Sequence, residues 1–361
     1  MAVVIAVVGT RPNFMKMAPV VAELRRRSGF RTMLVHTGQH YDDALSKIFV
    51  EQLGMPAPDH DLGIGPGSHS QQTARVLERL EPILAEVRPD ALLVPGDVTS
   101  TLAAALAASQ QDIPVGHVES GLRSFDWTMP EERNRVLTDA LSSWLFTHSP
   151  EALVNLLAEG RPRGAIHCVG NTMIDTLEAM RPAIAEARMD ERLDLEPGTY
   201  LVATLHRPAL VDGEMLAVAV HALRKLAEGM PVVMPLHPRT AKALASAGIA
   251  TTPILTVEPL GYREFLSLVC SARAVLTDSG GLQEETTYLG IPCFTLRANT
   301  ERPITVTHGT NELLGLAPQR IREIPELLGR TAEVARSVPE GWDGQAARRI
   351  ADVLEGSLST I

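Results

Sequence analysis

The chain has 361 residues, 45% apolar but only 4% aromatic, and exceeds the length at which one core stops growing, so two domains built from Ala, Val and Leu are expected. Its 43 acidic residues outnumber 33 basic ones, for a formal charge of −10; this argues against nucleic acid or anionic membrane as a partner and leaves any phosphate to local groups. No apolar run reaches the roughly 18 residues of a membrane span, and the chain opens on a strand instead of a basic leader, so a cytoplasmic location is expected.

Short Val- and Leu-rich runs alternate with longer helical patterns, which predicts βαβ units and mainly parallel sheets. In the first half, strands are predicted at Val3 to Val8, Thr32 to His36, Ala91 to Val94, Val115 to Val118 and Leu145 to Thr147. Helices are predicted at Met15 to Arg27, Gln71 to Glu86, Thr99 to Gln110, Glu132 to Ser142 and Glu151 to Glu159. The second half repeats the plan, with strands at Tyr200 to Leu205, Val232 to Leu236, Ile254 to Val257, Ala274 to Thr277 and Cys293 to Leu296. Its helices fall at Glu214 to Glu228, Arg263 to Ser271, Leu282 to Leu289 and Ile321 to Gly329. A less apolar span, Met180 to Thr199, lies between the halves, and the junction is placed just before Gly170, giving an N-terminal domain over 1–169 and a C-terminal domain over 170–361. The closing stretch Gln345 to Ser357 has helical spacing and can pack back across either domain, the N-terminal one included. Cys168, Cys270 and Cys293 lie in apolar stretches without metal or redox spacing and read as buried thiols of a reducing compartment.

Ligands of open α/β sheets bind where strands end and helices begin, and the charged residues gather there. The first strand runs into Gly9-Thr10-Arg11-Pro12, with Lys16 one turn on; Pro12 suits a first helical turn, so both cations flank a helix N-terminus. They are surface residues or partners of an anion. Asp97, Glu119, Glu131 and Asp278 follow strand ends or stand just beyond them. Asp97 and Glu119 face one crevice if their strands are neighbours, and mutual repulsion then raises the proton affinity of one of them. The blander alternatives are that Asp97 caps the helix near Thr99 and that Glu131 is only the first-turn acid after Pro130.

Leu205-His206-Arg207 and Leu236-His237-Pro238-Arg239 end two strands of the second half. Imidazole moves protons near neutral pH, and guanidinium grips phosphate. In Asp278-Ser279-Gly280-Gly281 the glycines let backbone N–H groups approach an anion at a helix start, with Arg302 in a later loop. Ser279 lacks a nucleophile-elbow pattern and reads as an anion contact. His36 and His40 read as loop polarity. No His-Glu-Xaa-Xaa-His motif, Cys/His cluster, Walker loop or dinucleotide fingerprint is present, so neither metal nor cofactor is expected.

In order along nearly the whole chain, Gly9-Thr10-Arg11-Pro12, Gly38-Gln39-His40, Gly96-Asp97, His117-Val118-Glu119-Ser120-Gly121-Leu122-Arg123, Met129-Pro130-Glu131-Glu132-Arg133-Asn134-Arg135, Leu205-His206-Arg207, Thr277-Asp278-Ser279-Gly280-Gly281 and Thr300-Glu301-Arg302-Pro303 closely resemble the bacterial, non-hydrolysing UDP-N-acetylglucosamine 2-epimerases. The resemblance implies an α/β fold of two facing Rossmann-like domains, like the GT-B glycosyltransferases, with the active site in the interdomain cleft, a homodimer, and no nicotinamide or metal. It implies interconversion of UDP-GlcNAc and UDP-ManNAc by elimination of UDP to a glycal and re-addition, in supply of cell-envelope polysaccharide. It further implies acid/base roles for Asp97, Glu119, Glu131 and His206. Substrate-binding roles fall to Arg11, Lys16, Arg135, Arg207, His237, Ser279, Gly280, Gly281, Glu285 and Arg302, with Glu285 on the ribose.

Three departures stand out. Pro208-Ala209-Leu210 replaces a Glu-Asn pair found in many relatives, and Tyr41-Asp42-Asp43 replaces the stretch associated with activation by a second substrate molecule. The segment Leu62 to His69 looks like a branch that includes enzymes of more heavily modified UDP-sugars. The competing readings are a hydrolysing epimerase, a 2-epimerase of a decorated UDP-hexosamine, a UDP-sugar-dependent glycosyltransferase, and a non-catalytic nucleotide-sugar sensor.

Overall fold

The structure, a computed structural model, describes residues 1–38, 52–331 and 337–359; Gln39, His40 and Tyr41-Asp42-Asp43 lie outside the described residues. The chain forms two compact units, Met1–Ala179 with Glu340–Ile361, and Met180–Pro339. The first unit thus extends past the expected junction at 169 and takes in the end of the chain. A helix, Thr172–Ala187, begins just after the expected junction and runs on into the start of the span read as a polar connector.

In the first unit, β1 (Ala2–Val8), β2 (Phe30–His36), β3 (His60–Asp61), β4 (Ala91–Pro95), β5 (Val115–Val118), β6 (Trp144–Thr147) and β7 (Ile166–Cys168) form one parallel sheet in the order β3-β2-β1-β4-β5-β6-β7. β1 is apolar throughout because helices cover both faces. Val4, Ala6 and Val8 point to one side, with Phe14, Met17 and Leu24. Ile5 and Val7 point to the other, with Leu80, Leu84 and Ala103. The final helix, Ala346–Leu358, buries Ile350 and Leu354 in the first of these clusters. Asp175 fixes its start by accepting the N–H groups of Ala346 and Ala347 at 3.1 and 2.7 Å.

The second unit repeats the winding. β8 (Leu201–Thr204), β9 (Val232–Pro235), β10 (Leu255–Val257), β11 (Ala274–Thr277), β12 (Cys293–Thr295) and β13 (Asn311–Leu313) pair in parallel in the order β10-β9-β8-β11-β12-β13. Each sheet therefore reverses direction at one point, between β1 and β4 in the first and between β8 and β11 in the second. The loops beyond those strand ends are where doubly wound sheets take ligands.

Several elements differ from the sequence expectation. The edge strands β3, β7 and β13 are two or three residues long and partly polar, so no apolar run marks them. The helix Pro238–Ala247 is also additional, and the one expected from Ile321 divides into a 3₁₀ turn, Pro318–Glu323, and a helix, Ile324–Thr331. Cys293 is buried as expected, but Cys168 and Cys270 are exposed, Cys168 because it sits on an edge strand.

Candidate active site

At the first switch point, β1 turns into the helix Arg11–Arg26 with Pro12 in its first turn. Buried Asn13 ties this turn to β4: its Oδ1 accepts the N–H groups of Gly9 and Thr10 at 3.2 and 3.1 Å, and its Nδ2 donates to the Pro95 carbonyl at 3.2 Å. Arg11 is exposed at the helix start, while Lys16, on the next turn, is buried. The Lys16 ammonium pairs with the Glu119 carboxylate, and both side chains are over nine-tenths buried.

Glu119 follows β5 with φ 70°, a left-handed conformation uncommon outside glycine and often found at functional sites. The Phe146 carbonyl holds it there, accepting the N–H groups of Glu119 and Ser120 at 3.1 and 3.0 Å. β4 and β5 are neighbours, so the turns bearing Asp97 and Glu119 leave adjacent strand ends. Gly96 has φ 65°, which favours glycine, and a methyl group on it would stand 2.8 Å from the Lys16 nitrogen.

Repulsion between Asp97 and Glu119 is not left to one shared proton, since each carboxylate has its own cation. Asp97 accepts from Arg135 Nη2 at 2.5 Å, and Asn134 Nδ2 donates to its carbonyl at 2.9 Å. The helix near Thr99 has Val98 as its N-cap without a side-chain cap bond, so capping is not the role of Asp97. Arg135 is 2% exposed and also meets Glu132 at 3.2 Å. Glu131 is half-buried on the first turn of the same helix, Pro130–Leu141.

This helix buries Glu132, Arg135, Thr138 and Asp139. The polar stripe at helical spacing, where an apolar one belongs, was the available signal for the buried network behind the site. The sequence reading also passed over His148, buried after β6, with a ring nitrogen within 4.8 Å of a Glu119 carboxylate oxygen. Its ring meets Trp342 edge-on at 5.9 Å, and its carbonyl accepts from Trp342 Nε1 at 2.8 Å.

At the second switch point, Asp278 organises the loop after β8. One carboxylate oxygen stands 2.7 Å from His206 Nδ1, and the other accepts the N–H groups of His206 and Arg207 at 2.8 and 2.7 Å. Burial pushes this carboxyl up, but the hydrogen bond and charge of His206 and the two backbone donors outweigh it and hold it below its ordinary value. The His206 ring lies 5.7 Å from that of His237, the N-cap of Pro238–Ala247, whose Nδ1 accepts from Arg239 N–H at 3.2 Å.

The glycine turn after β11 leads into the helix Gly281–Leu289. Ser279 spends its N–H on Thr277 Oγ1 at 2.9 Å, and its carbonyl accepts from Gln283 Nε2 at 3.0 Å. Gln283 in turn accepts from Thr300 at 2.7 Å and Asn311 at 3.0 Å, fixing the loop that bears Arg302. That guanidinium meets Glu284 at 3.1 Å and Glu301 at 2.8 Å, and lies so near the turn that a methyl on Gly280 would stand 2.8 Å from Nη1. Burial, then the neighbouring charge of Arg297, lowers the proton affinity of Arg207; such crowding of guanidinium groups favours an anion. Glu285 is buried, accepting from the Tyr262 hydroxyl at 2.8 Å.

Two doubly wound α/β units, each with ionisable groups held at its switch point, define an α/β protein of the class that takes ligands beyond its strand ends. The family model described as UDP-N-acetylglucosamine 2-epimerase matches residues 22–355. A UDP-N-acetylglucosamine 2-epimerase of Methanococcus maripaludis is 40% identical over 97% of each chain. A UDP-2,3-diacetamido-2,3-dideoxy-D-glucuronate 2-epimerase of Pseudomonas aeruginosa is 39% identical over 97% of this chain and 99% of its own. The crystal structure of Methanocaldococcus jannaschii UDP-GlcNAc 2-epimerase in complex with UDP-GlcNAc and UDP matches with TM-score 0.89 at 38% identity, over 99% of this chain and 100% of that one. The chain belongs to the UDP-N-acetylglucosamine 2-epimerase family, whose members are isomerases. Among the described residues, no helix is long and apolar enough to cross a membrane.

Proposed function

We propose that the protein interconverts UDP-GlcNAc and UDP-ManNAc without releasing free sugar. The hydrogen on carbon 2 is too weakly acidic for direct inversion, so the reading takes an elimination route. A carboxylate removes that proton as the bond from carbon 1 to the phosphate oxygen breaks with oxocarbenium character, its electron pair leaving with UDP. A double bond between carbons 1 and 2 gives a glycal. UDP then re-adds at carbon 1, and a proton reaches carbon 2 from the opposite face.

Acid/base groups are needed on both faces of the ring, and Asp97, Glu119, Glu131 and His206 are assigned to them. Arg11, Lys16, Arg135, Arg207, His237, Ser279, Gly280, Gly281, Glu285 and Arg302 are assigned to substrate, with the Arg302 turn holding UDP until it returns. The observation that carries this is the pair of carboxylates at adjacent strand ends, Asp97 and Glu119, each against its own cation. The reading includes a cytoplasmic homodimer that needs no cofactor.

Incubation with UDP-GlcNAc in deuterated water tests it. Deuterium at carbon 2 together with UDP-ManNAc is expected; UDP with free N-acetylmannosamine identifies a hydrolysing enzyme instead.

A second reading, a decorated UDP-hexosamine as substrate, is favoured by the Pseudomonas relative, which is as similar as the UDP-GlcNAc enzymes. The Leu62 to His69 segment, whose sequence resembles that branch, is in keeping with it. Arg75 Nη1 donates to the Ile64 and Pro66 carbonyls, each at 2.9 Å, and Arg79 Nη1 to those of Leu62 and Gly63 at 2.5 and 2.8 Å. Exchange on a 2,3-diacetamido uronate with none on UDP-GlcNAc selects this reading.

A further inference from the structure

Behind the Gly96-Asp97 turn, β5 carries His117, whose ring is fully buried at 0% exposure. Its Nε2 stands 2.6 Å from the Gly96 carbonyl oxygen, and its Nδ1 2.6 Å from Asp139 Oδ1. A backbone carbonyl has no proton to give. Asp139 has none either: Gly121 N–H and Arg123 Nη2 reach its second oxygen at 3.1 and 2.7 Å. Two acceptors on one ring require two N–H donors, and an imidazole with both nitrogens protonated is a cation.

We propose that His117 is a positioning residue for the carboxylate site of the first unit: an imidazolium, charge-matched by Asp139, that grips the Gly96 carbonyl and so sets the turn carrying Asp97 beside Lys16 and Glu119. The Gly96 N–H donates to the Val118 carbonyl at 3.0 Å, so the turn is tied to β5 through both its N–H and its carbonyl. The Lys16 nitrogen is within 2.8 Å of where a Gly96 methyl would stand, and Glu119 Oε2 within 3.7 Å. The glycine backbone thus stands beside the ion pair, and the turn's position sets the room the pair has.

The charges close as well. The groups that share charge with the ring are Asp139 and, through it, Arg123, which holds Glu159 at 2.6 Å. With His117 cationic, two cations face two carboxylates. With it neutral, buried Asp139 has Arg123 as its one cation here, and Arg123 is shared with Glu159.

The proposal rests on the epimerase reading only for its kinetic consequence, so the first test is independent of activity. Neutron diffraction from crystals of the full chain exchanged into deuterated buffer at neutral pH is expected to show deuterons on both nitrogens of the His117 ring. One deuteron only overturns the assignment. The second test is kinetic. His117→Asn and Asp139→Asn are each expected to lower kcat by about 100-fold, the scale of a misplaced catalytic group, while UDP affinity by calorimetry stays within about threefold of the parent. Unchanged kcat, or parallel loss of UDP affinity, overturns the positioning role. Absence of turnover by the parent enzyme on any UDP-hexosamine sinks the functional reading alone and leaves the neutron result standing.

Discussion

Lys16 and Glu119 form a buried ion pair on a backbone that stands at φ 70° on the glutamate side. Two costs, desolvation of the pair and a left-handed non-glycine residue, thus coincide at one strand end, a combination found more often at functional sites than elsewhere.

Breaking that pair leaves Glu119 buried without its lysine. Lys16→Met is expected to destabilise the protein by about 3 kcal/mol in urea unfolding, and the double variant with Glu119→Gln to recover most of the loss. Glu119→Gln alone is expected to abolish deuterium exchange at carbon 2 with UDP affinity nearly intact. Equal loss of both would make Glu119 a structural residue.

Asp278 is the second target, because its carboxylate orients His206 and holds the loop behind it. Asp278→Asn is expected to lower kcat by about 100-fold or more, in the range of a misdirected acid/base group. It also alters acid stability. The folded-state carboxyl lies below its ordinary 3.8, so its contribution is complete above that pH and is lost as pH falls further, through the folded value. The stability gap between parent and variant should therefore shrink as pH falls below 3.8. A gap that widens in acid contradicts the assignment.

Gly280→Ala separates fold from site. The added methyl would stand 2.8 Å from Arg302 Nη1 and 3.4 Å from Glu301 Oε1, the ends of side chains that can move. Unfolding stability should change by less than about 1 kcal/mol, because no backbone is forced to shift. UDP affinity should fall by about tenfold, the equivalent of about 1.4 kcal/mol for a displaced guanidinium. An unchanged dissociation constant would remove Arg302 from the UDP site.

Thiol labelling follows burial. Burial pushes the Cys293 thiol up to about 11, so it should resist iodoacetamide in the native protein, while exposed Cys168 and Cys270 react. Cys270 should react more slowly than Cys168, since burial, the largest influence on it, raises its proton affinity. Peptide mass spectrometry before and after denaturation reads all three.

Much of this protein was legible as a string. The apolar run Val3 to Val8, the alternation of strands with helices, and the turns Gly96-Asp97 and Asp278-Ser279-Gly280-Gly281 depend on neighbours a few positions away. Local periodicity and glycine freedom therefore specify the α/β class and mark the strand ends where ligands bind. What the string could not state is who meets whom. That Lys16 answers Glu119, that Arg135 is spent on Asp97, and that His117 bridges Gly96 and Asp139 are contacts between residues far apart in sequence. They exist only once the sheet order has set β4 beside β1 and β5. The short edge strands were hidden for a related reason: a strand paired on one side needs little apolar sequence of its own, so its place comes from the sheet it joins and not from its residues.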